Sequence, residues 1–252
     1  MTRYFIIISF KGTSYCGWQL QPNTVTVQKV LDEALSTIMR ENISTTGAGR
    51  TDSGVHASFF CAHFDSAKSD LDKRENLIHR LNRYLPSDIA INNIRKVVTS
   101  AHARYSAISR TYRYFISRNK DPFYEGTSWL IAGGIRIDID SMNRACNILM
   151  QHSDFTSFSR LHSNAKTNIC KIYSAEWVES GNMLVFTIRA DRFLRNMVRA
   201  IVGTMIDVGT EKISLDDFQK IILSKDRCKA GKSAPAKGLF LTEIEYPDDI
   251  FL

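Results

Sequence analysis

Tyr4-Phe5-Ile6-Ile7-Ile8-Ser9-Phe10 is the stretch on which the reading of this chain turns. It is aromatic and β-branched, and one serine interrupts it. A membrane-spanning helix needs about 20 apolar residues, and no run in the chain approaches that length. A secretory leader would carry a small-residue cleavage pattern after its apolar segment; here Lys11 follows instead. The run therefore predicts a buried β-strand opening a folded domain. Composition agrees. Of 252 residues, 44% are hydrophobic and 23% charged, which excludes wholesale disorder and allows a core without covalent staples. The five cysteines are odd in number and include no Cys-x-x-Cys pair, so they predict core filler and neither a disulfide framework nor a zinc site. With no export signal, the expected compartment is the cytoplasm.

Outward from that strand, strand and helix signals alternate. Val27, Leu31, Ala34, Leu35 and Ile38 fall at helical spacing, with Thr26 placed to cap. A glycine-rich stretch, Gly47 to Gly54, precedes a strand over Ser58–Phe64. Leu77, Leu81, Tyr84 and Leu85 predict a helix stopped by Pro86, and Ile89–Val98 a strand. The second half repeats this grammar. Thr111–Ser117 predicts a strand with Tyr112, Tyr114 and Ile116 on one face, and Met142–Met150 a helix. Ile169–Val178 and Met183–Ala190 predict a hairpin turned at Ser180-Gly181-Asn182. A long amphipathic helix is expected from about Leu194 to Val208, then a helix over Leu215–Leu223 and a last strand over Leu239–Tyr246. The expected fold class is α+β: two similar halves, each a mostly antiparallel sheet covered by helices, divided at residues 1–105 and 106–252.

The charge balance points to a polyanionic partner. Lys and Arg number 33 against 26 Asp and Glu, a formal net charge of +7. From Arg95 to Lys120 there are seven basic residues and no carboxylate, interleaved with Tyr105, Tyr112, Tyr114 and Phe115. Phe155–Ala175 carries Arg160, Lys166 and Lys171 without an acid, and Lys225–Lys237 carries five basic residues against Asp226 alone. Such charges hold phosphate backbones, and unstacked bases lie on such aromatics. A solvated surface that keeps the chain soluble is the plainer alternative.

Several motif fragments fail on inspection. Gly47-Ala48-Gly49-Arg50-Thr51-Asp52 lacks the third glycine of a dinucleotide fingerprint and sets Asp52 where a pyrophosphate should lie. Gly231-Lys232-Ser233 resembles the end of a phosphate-binding loop, but Asp226 stands where its first glycine belongs. The six histidines include no His-x-x-x-His pair, so no metal site is expected. What remains is Gly47 to His56: three glycines in eight residues, a guanidinium at Arg50 and a carboxylate at Asp52. Taken alone, this is either a plain tight loop with a surface aspartate or a backbone shaped for close approach to a ligand.

Gly49-Arg50-Thr51-Asp52-Ser53-Gly54-Val55-His56-Ala57 resembles the catalytic motif of the tRNA pseudouridine synthase A family. Tyr15-Cys16-Gly17-Trp18-Gln19-Leu20-Gln21 is similar to that family's N-terminal motif. His102-Ala103-Arg104-Tyr105-Ser106-Ala107 and Arg110-Thr111-Tyr112-Arg113-Tyr114 are similar to its central one. Asp154-Phe155-Thr156-Ser157-Phe158, then Phe193-Leu194-Arg195-Asn196-Met197-Val198-Arg199 and Gly238-Leu239-Phe240-Leu241, follow in the family's order. Lys11, Ser53 and Ala200 depart from it, where Asp, Ala and Asn are usual.

The resemblance implies conversion of uridine to pseudouridine at positions 38, 39 and 40 of the tRNA anticodon stem-loop, with no cofactor and no metal. It also implies the pseudouridine synthase fold, two halves flanking a basic cleft, and a homodimer with no membrane association. Asp52 corresponds to the family's essential aspartate, which either attacks the sugar carbon or takes a sugar proton on a glycal route. Arg199 matches its charge partner. Spacing would set Arg195 and Arg199 on one helix flank, joined by Arg192 if that residue is helical. Tyr112 matches the active-site tyrosine, able to stack on uracil and relay a proton. Arg50 corresponds to an arginine that helps extrude the nucleotide. Two rivals stay open: a non-catalytic RNA-binding protein, and a hydrolase or phosphorylase of free nucleosides.

Overall fold

The computed structural model describes residues 1–74, 76–160 and 166–252. These form two compact units, residues 1–108 with 241–252 and residues 109–240. The acid-free stretch Phe155–Ala175 is described except for 161–165, which lie outside the described residues.

The first unit is built on β1 (Thr2–Phe10), the strand predicted from the opening run. After it come α1 (Val27–Met39), β2 (Thr46–Gly47), β3 (His56–Ser66), α2 (Leu77–Tyr84) and β4 (Ile89–Val97). β1 pairs antiparallel with β3 on one side and β4 on the other, so Ile6 faces both Ala62 and Ile94. Tyr4, Phe5, Ile6 and Ile8 have no exposed surface. One face of the strand, Tyr4, Ile6, Ile8 and Phe10, is buried throughout, and on the other Phe5 is buried while Ile7 and Ser9 are half-exposed. Thr26 caps α1 as expected, accepting from the Lys29 N–H at 3.3 Å. Residues 241–252 return to this unit, which a single division at residue 105 does not anticipate. Backbone pairing brings them back: Ile108 N donates to Glu245 O at 2.8 Å and Val98 N to Ile250 O at 2.9 Å. Phe251 then lies under the Arg95 guanidinium, 3.8 Å from ring centroid to Cζ.

The second unit contains β5 (Ser109–Ser117), β6 (Trp129–Leu130), α3 (Ile139–Met150), β7 (Ile172–Ser180), β8 (Met183–Ala190), α4 (Met197–Gly209) and α5 (Leu215–Ser224). A last strand, β9 (Leu239–Glu245), ends in the first unit. β8 pairs antiparallel with β5 and β7, and β6 pairs parallel with β5. The predicted hairpin closes with Ser180 opposite Met183, Gly181 taking φ +57°. Asn143 fastens α3 to β7, accepting from Trp177 N at 2.8 Å and donating to its carbonyl at 3.0 Å. Both units are thus α+β with mostly antiparallel sheet, as the sequence grammar indicates.

α4 departs from its prediction in two ways. It starts at Met197, because Asn196 holds a left-handed backbone (φ +66°) and Met197 N closes a turn onto Leu194 O. Arg192 and Arg195 therefore precede the helix, and Arg195 does not share a helical flank with Arg199. Nor is α4 amphipathic: all its residues are buried except Arg199 and Asp207, which are half-exposed. The face expected to meet water is covered by an extended segment. Gly231 N donates to Thr204 Oγ1 and Ala234 N to Arg199 O, both at 2.9 Å. A Cβ on Gly203 would overlap the Lys232 carbonyl, so this approach needs glycine.

The glycine-rich loop ahead of β3 is held by the segment after β1. A Cβ at Gly12 would overlap the Val55 carbonyl, and one at Gly17 the Thr51 carbonyl. Gly12 N donates to His56 Nδ1 at 3.0 Å, and Gly54 N to Tyr15 O at 3.4 Å. The Gly17 and Trp18 carbonyls also accept from Val27 N and Gln28 N, satisfying donors at the start of α1. Trp18 packs on Phe60 with centroids 4.3 Å apart and covers Gly47. Behind the loop, Asp32 accepts from Thr45 N at 3.0 Å and Thr45 Oγ1 at 2.6 Å, which ties α1 to β2.

Gly17→Ala must adopt φ +81° with its Cβ against a backbone oxygen. The left-handed conformation alone costs about 1–2 kcal/mol. A thermal melt should show a lower Tm, and hydrogen exchange should show residues 50–56 deprotected; an unchanged melt would contradict the clamp. Burial, only partly offset by the Thr45 hydrogen bonds, pushes the Asp32 carboxyl from 3.8 up to about 6. The protonated form is thus favoured in the fold, so its contribution is complete below pH ~4 and lost as pH rises through ~6. Asp32→Asn keeps an acceptor for Thr45 without the titration. Its Tm should exceed wild type above pH 7 and match it near pH 4.

Candidate active site

Arg50 and Asp52 stand on the clamped loop of the first unit. Asp52 is half-exposed, and its carbonyl accepts from Val55 N at 3.2 Å, closing a turn at Gly54 (φ +77°). The turn lifts the Asp52 side chain while Val55 and His56, 2% and 0% exposed, anchor the loop in the core. Since His56 Nδ1 accepts from Gly12 N, a neutral ring carries its proton on Nε2. Arg50 is exposed, and its Nε donates to Gln19 Oε1. Two of the three loop glycines have a structural reason: Gly47 makes room for Trp18 and Gly54 takes the positive φ. Gly49 faces open space.

Tyr112 and Arg199 belong to the second unit. Tyr112 pairs with Ile188 across β5 and β8 and is half-exposed. Its ring meets Phe193 edge-on, centroids 5.0 Å apart and planes at 85°. Tyr114, two residues on, is fully buried; its hydroxyl donates to Pro235 O at 2.7 Å, and its ring fills the space that a side chain on Gly238 would need. Burial pushes the Tyr114 hydroxyl well above its ordinary range, which suits a structural role. Arg199 Nε donates to Ala234 O at 2.7 Å, and Ala234 N returns a bond to Arg199 O at 2.9 Å. The Arg199 guanidinium is therefore aimed by the segment laid along α4.

The supporting residues were not singled out from the sequence. Gly17 and Gln19 read there only as parts of a motif, and nothing in linear order points to Gly12 as a support. Tyr15 is another: its hydroxyl donates to Asp88 Oδ1 at 2.6 Å, and burial chiefly raises it above the tyrosine range. His102 belongs to the support as well. Its Nδ1 accepts from Arg104 N at 3.1 Å, and its ring stands 4.6 Å from that of His63. Burial first, then the Arg3 charge, lowers His63 to about 4, so both rings sit together uncharged at neutral pH. Among the described residues, no group of three or more His, Cys, Asp or Glu is placed to hold a metal ion. Among the described residues, too, no helix is long and apolar enough to cross a membrane.

Comparison with known proteins agrees with the motif reading. The family model described as tRNA pseudouridine synthase matches residues 6–106 and 145–247. These spans include Arg50, Asp52 and Arg199; Tyr112 lies between them. The tRNA pseudouridine synthase A of Parabacteroides distasonis is 49% identical over 251 residues, covering 100% of this chain and 98% of its own. That of Bacteroides fragilis is 51% identical over 250 residues, covering 99% and 98%. The more distant protein of that name from a Geobacter species is 37% identical over 248 residues, covering 96% and 98%. With about half its residues shared along whole relatives, and with the glycine-clamped loop among the matched spans, the chain belongs to the tRNA pseudouridine synthase family.

Proposed function

We propose that this chain isomerises uridine to pseudouridine in tRNA, at positions 38, 39 and 40 of the anticodon stem-loop. The observation that carries the reading is the Gly-Arg-Thr-Asp loop. It presents Asp52 half-exposed on a backbone that Gly12 and Gly17 hold from behind. The relatives' shared name supports the reaction. The acid-free basic stretches support an RNA substrate, since a free nucleoside would not require them.

The reaction breaks the N1–C1′ bond, turns the uracil over and joins C5 to C1′. C5 loses its hydrogen and N1 gains one, so nothing enters or leaves overall and no oxidant or co-substrate is consumed. Asp52 acts as a carboxylate on the sugar, either adding to C1′ or removing a proton on the glycal route. Arg199, its donor fork aimed by the Ala234 carbonyl, stabilises that negative charge. Tyr112 stacks on the extruded uracil and accepts or relays the C5 proton. Extrusion costs a few kcal/mol, which Arg50, held ready by Gln19, offsets by filling the vacated space. The enzyme works as a cytoplasmic homodimer in this reading. The five free cysteines suit a reducing compartment, and the family resemblance supports the dimer.

Tritium release from a C5-labelled stem-loop transcript tests the assignment. Asp52→Asn should abolish release while most RNA affinity survives. Binding without release by wild type would instead make this a non-catalytic RNA-binding protein. Activity on free uridine but not on RNA would make it a nucleoside enzyme. Tyr112→Phe separates the two duties of that residue: the ring stays, so affinity should hold while release slows by roughly 10²–10⁴-fold. Tyr112→Ala should also weaken binding, by about 1–3 kcal/mol.

A further inference from the structure

Two basic stretches that are distant in sequence, one of them acid-free and the other carrying Asp226 alone, meet at one surface pocket of the second unit. The pocket has a volume of about 440 Å³, and Arg160, Asn196, Arg227, Cys228 and Lys232 line it. Arg160 comes from the Phe155–Ala175 stretch; Arg227 and Lys232 come from Lys225–Lys237. No carboxylate is among its lining residues. Two acids border it: Asp226 accepts from the N–H of the lining residue Cys228 at 2.9 Å, and Asp207 lies beside Gly231 with Lys212 3.4 Å from its other oxygen. Arg160, Arg227 and Lys232 outnumber them, and Asp154 is paired with Lys225 at 2.9 Å.

The pocket has a built wall. Arg227 donates to the carbonyls of Ala230 (3.2 Å) and Gly231 (3.1 Å) and to Ser233 Oγ (2.9 Å). Asn196 Nδ2 donates to the same Ser233 oxygen at 2.7 Å. Arg227 is thus committed to shaping the loop, whereas Arg160 and Lys232 are exposed cations at its rim. α4 starts at Met197, behind Asn196, with no side-chain cap bond and no acidic residue in its first turn, so the positive end of its dipole adds to the cations. The same loop continues to Ala234, whose carbonyl aims Arg199. Pocket and Arg199 therefore sit on one braced piece of backbone.

We propose that this pocket is a subsite for a backbone phosphodiester of the RNA substrate, held by Arg160 and Lys232 on the wall that Arg227 and Asn196 brace. The proposal rests on the reading that the chain binds RNA. Its contribution is to affinity and register and not to the chemical step, because phosphate contacts position a nucleic acid without reading its sequence.

The test uses the full chain and an anticodon stem-loop transcript. Arg160→Gln and Lys232→Gln should each raise Kd and KM severalfold without changing kcat for tritium release. Each should lower the slope of log affinity against log salt by about 0.7–0.9. The loss should be equal for a stem-loop lacking the target uridines, and Lys232→Arg should restore the wild-type slope. Bound RNA should also slow alkylation of Cys228, measured in a Cys16→Ser background because Cys16 is the other exposed thiol. An unchanged salt slope, unchanged alkylation, or a fall in kcat at constant KM would overturn the subsite. Wild type that binds RNA without releasing tritium would overturn the isomerase reading instead and leave the subsite standing. Free inorganic phosphate that protects Cys228 at millimolar concentration while RNA does not would assign the pocket to a small anion and overturn it.

Discussion

Everything in the first unit that bears on chemistry depends on backbone meeting backbone where a side chain would not fit. Gly12 lies against the Val55 carbonyl and Gly17 against the Thr51 carbonyl. Between those two contacts runs the turn that carries Asp52. A loop with a carboxylate at its tip gains little from hydrophobic burial, because its functional residue has to reach solvent or substrate. Its rigidity must come from its flanks, and here a second loop presses on it from behind. That second loop is held in turn, since its carbonyls satisfy the opening N–H groups of α1. Helix start, glycine clamp and Asp52 loop are therefore one mechanical unit, and β1 supplies the buried base on which it stands.

The second unit uses the same device at a different place. Gly203 in α4 and Gly231 in the segment after α5 let an extended chain lie directly on a helix. Gly231 bonds to Thr204, and Ala234 exchanges two hydrogen bonds with Arg199. An arginine on an exposed helix face explores many rotamers, and fixing it costs side-chain entropy when it is needed. Here a carbonyl has already fixed the guanidinium. This also accounts for the buried sides of α4: the helix is an internal support whose two half-exposed positions are Arg199 and Asp207.

Much of this was legible in the residues. The apolar run Tyr4–Phe10 announced a buried strand, Thr26 a helix cap, Pro86 a helix stop, and Ser180-Gly181-Asn182 a hairpin. The Arg50–Asp52 loop and the strand carrying Tyr112 and Tyr114 were legible as motif matches. The exposed flank assigned to α4 was not correct, because periodicity records which residues are apolar and says nothing of what covers the others. Asn196 stopped the helix short of Arg195 by adopting a left-handed backbone, which asparagine tolerates but does not declare.

Local chemistry indicated most of the elements, the family motifs and the candidate acid, because each motif rests on residues near one another along the chain. Contacts across long separations needed the folded structure. They are the return of residues 241–252 to the first unit, the pressure of Gly12 and Gly17 on the loop some forty residues later, and the convergence of Arg160 with Arg227 and Lys232. The physical reason is that a glycine's missing side chain, or a cation's neighbours, take their meaning from whatever packs against them. Linear order does not encode that partner; it is chosen by the way strands pair and helices cover them.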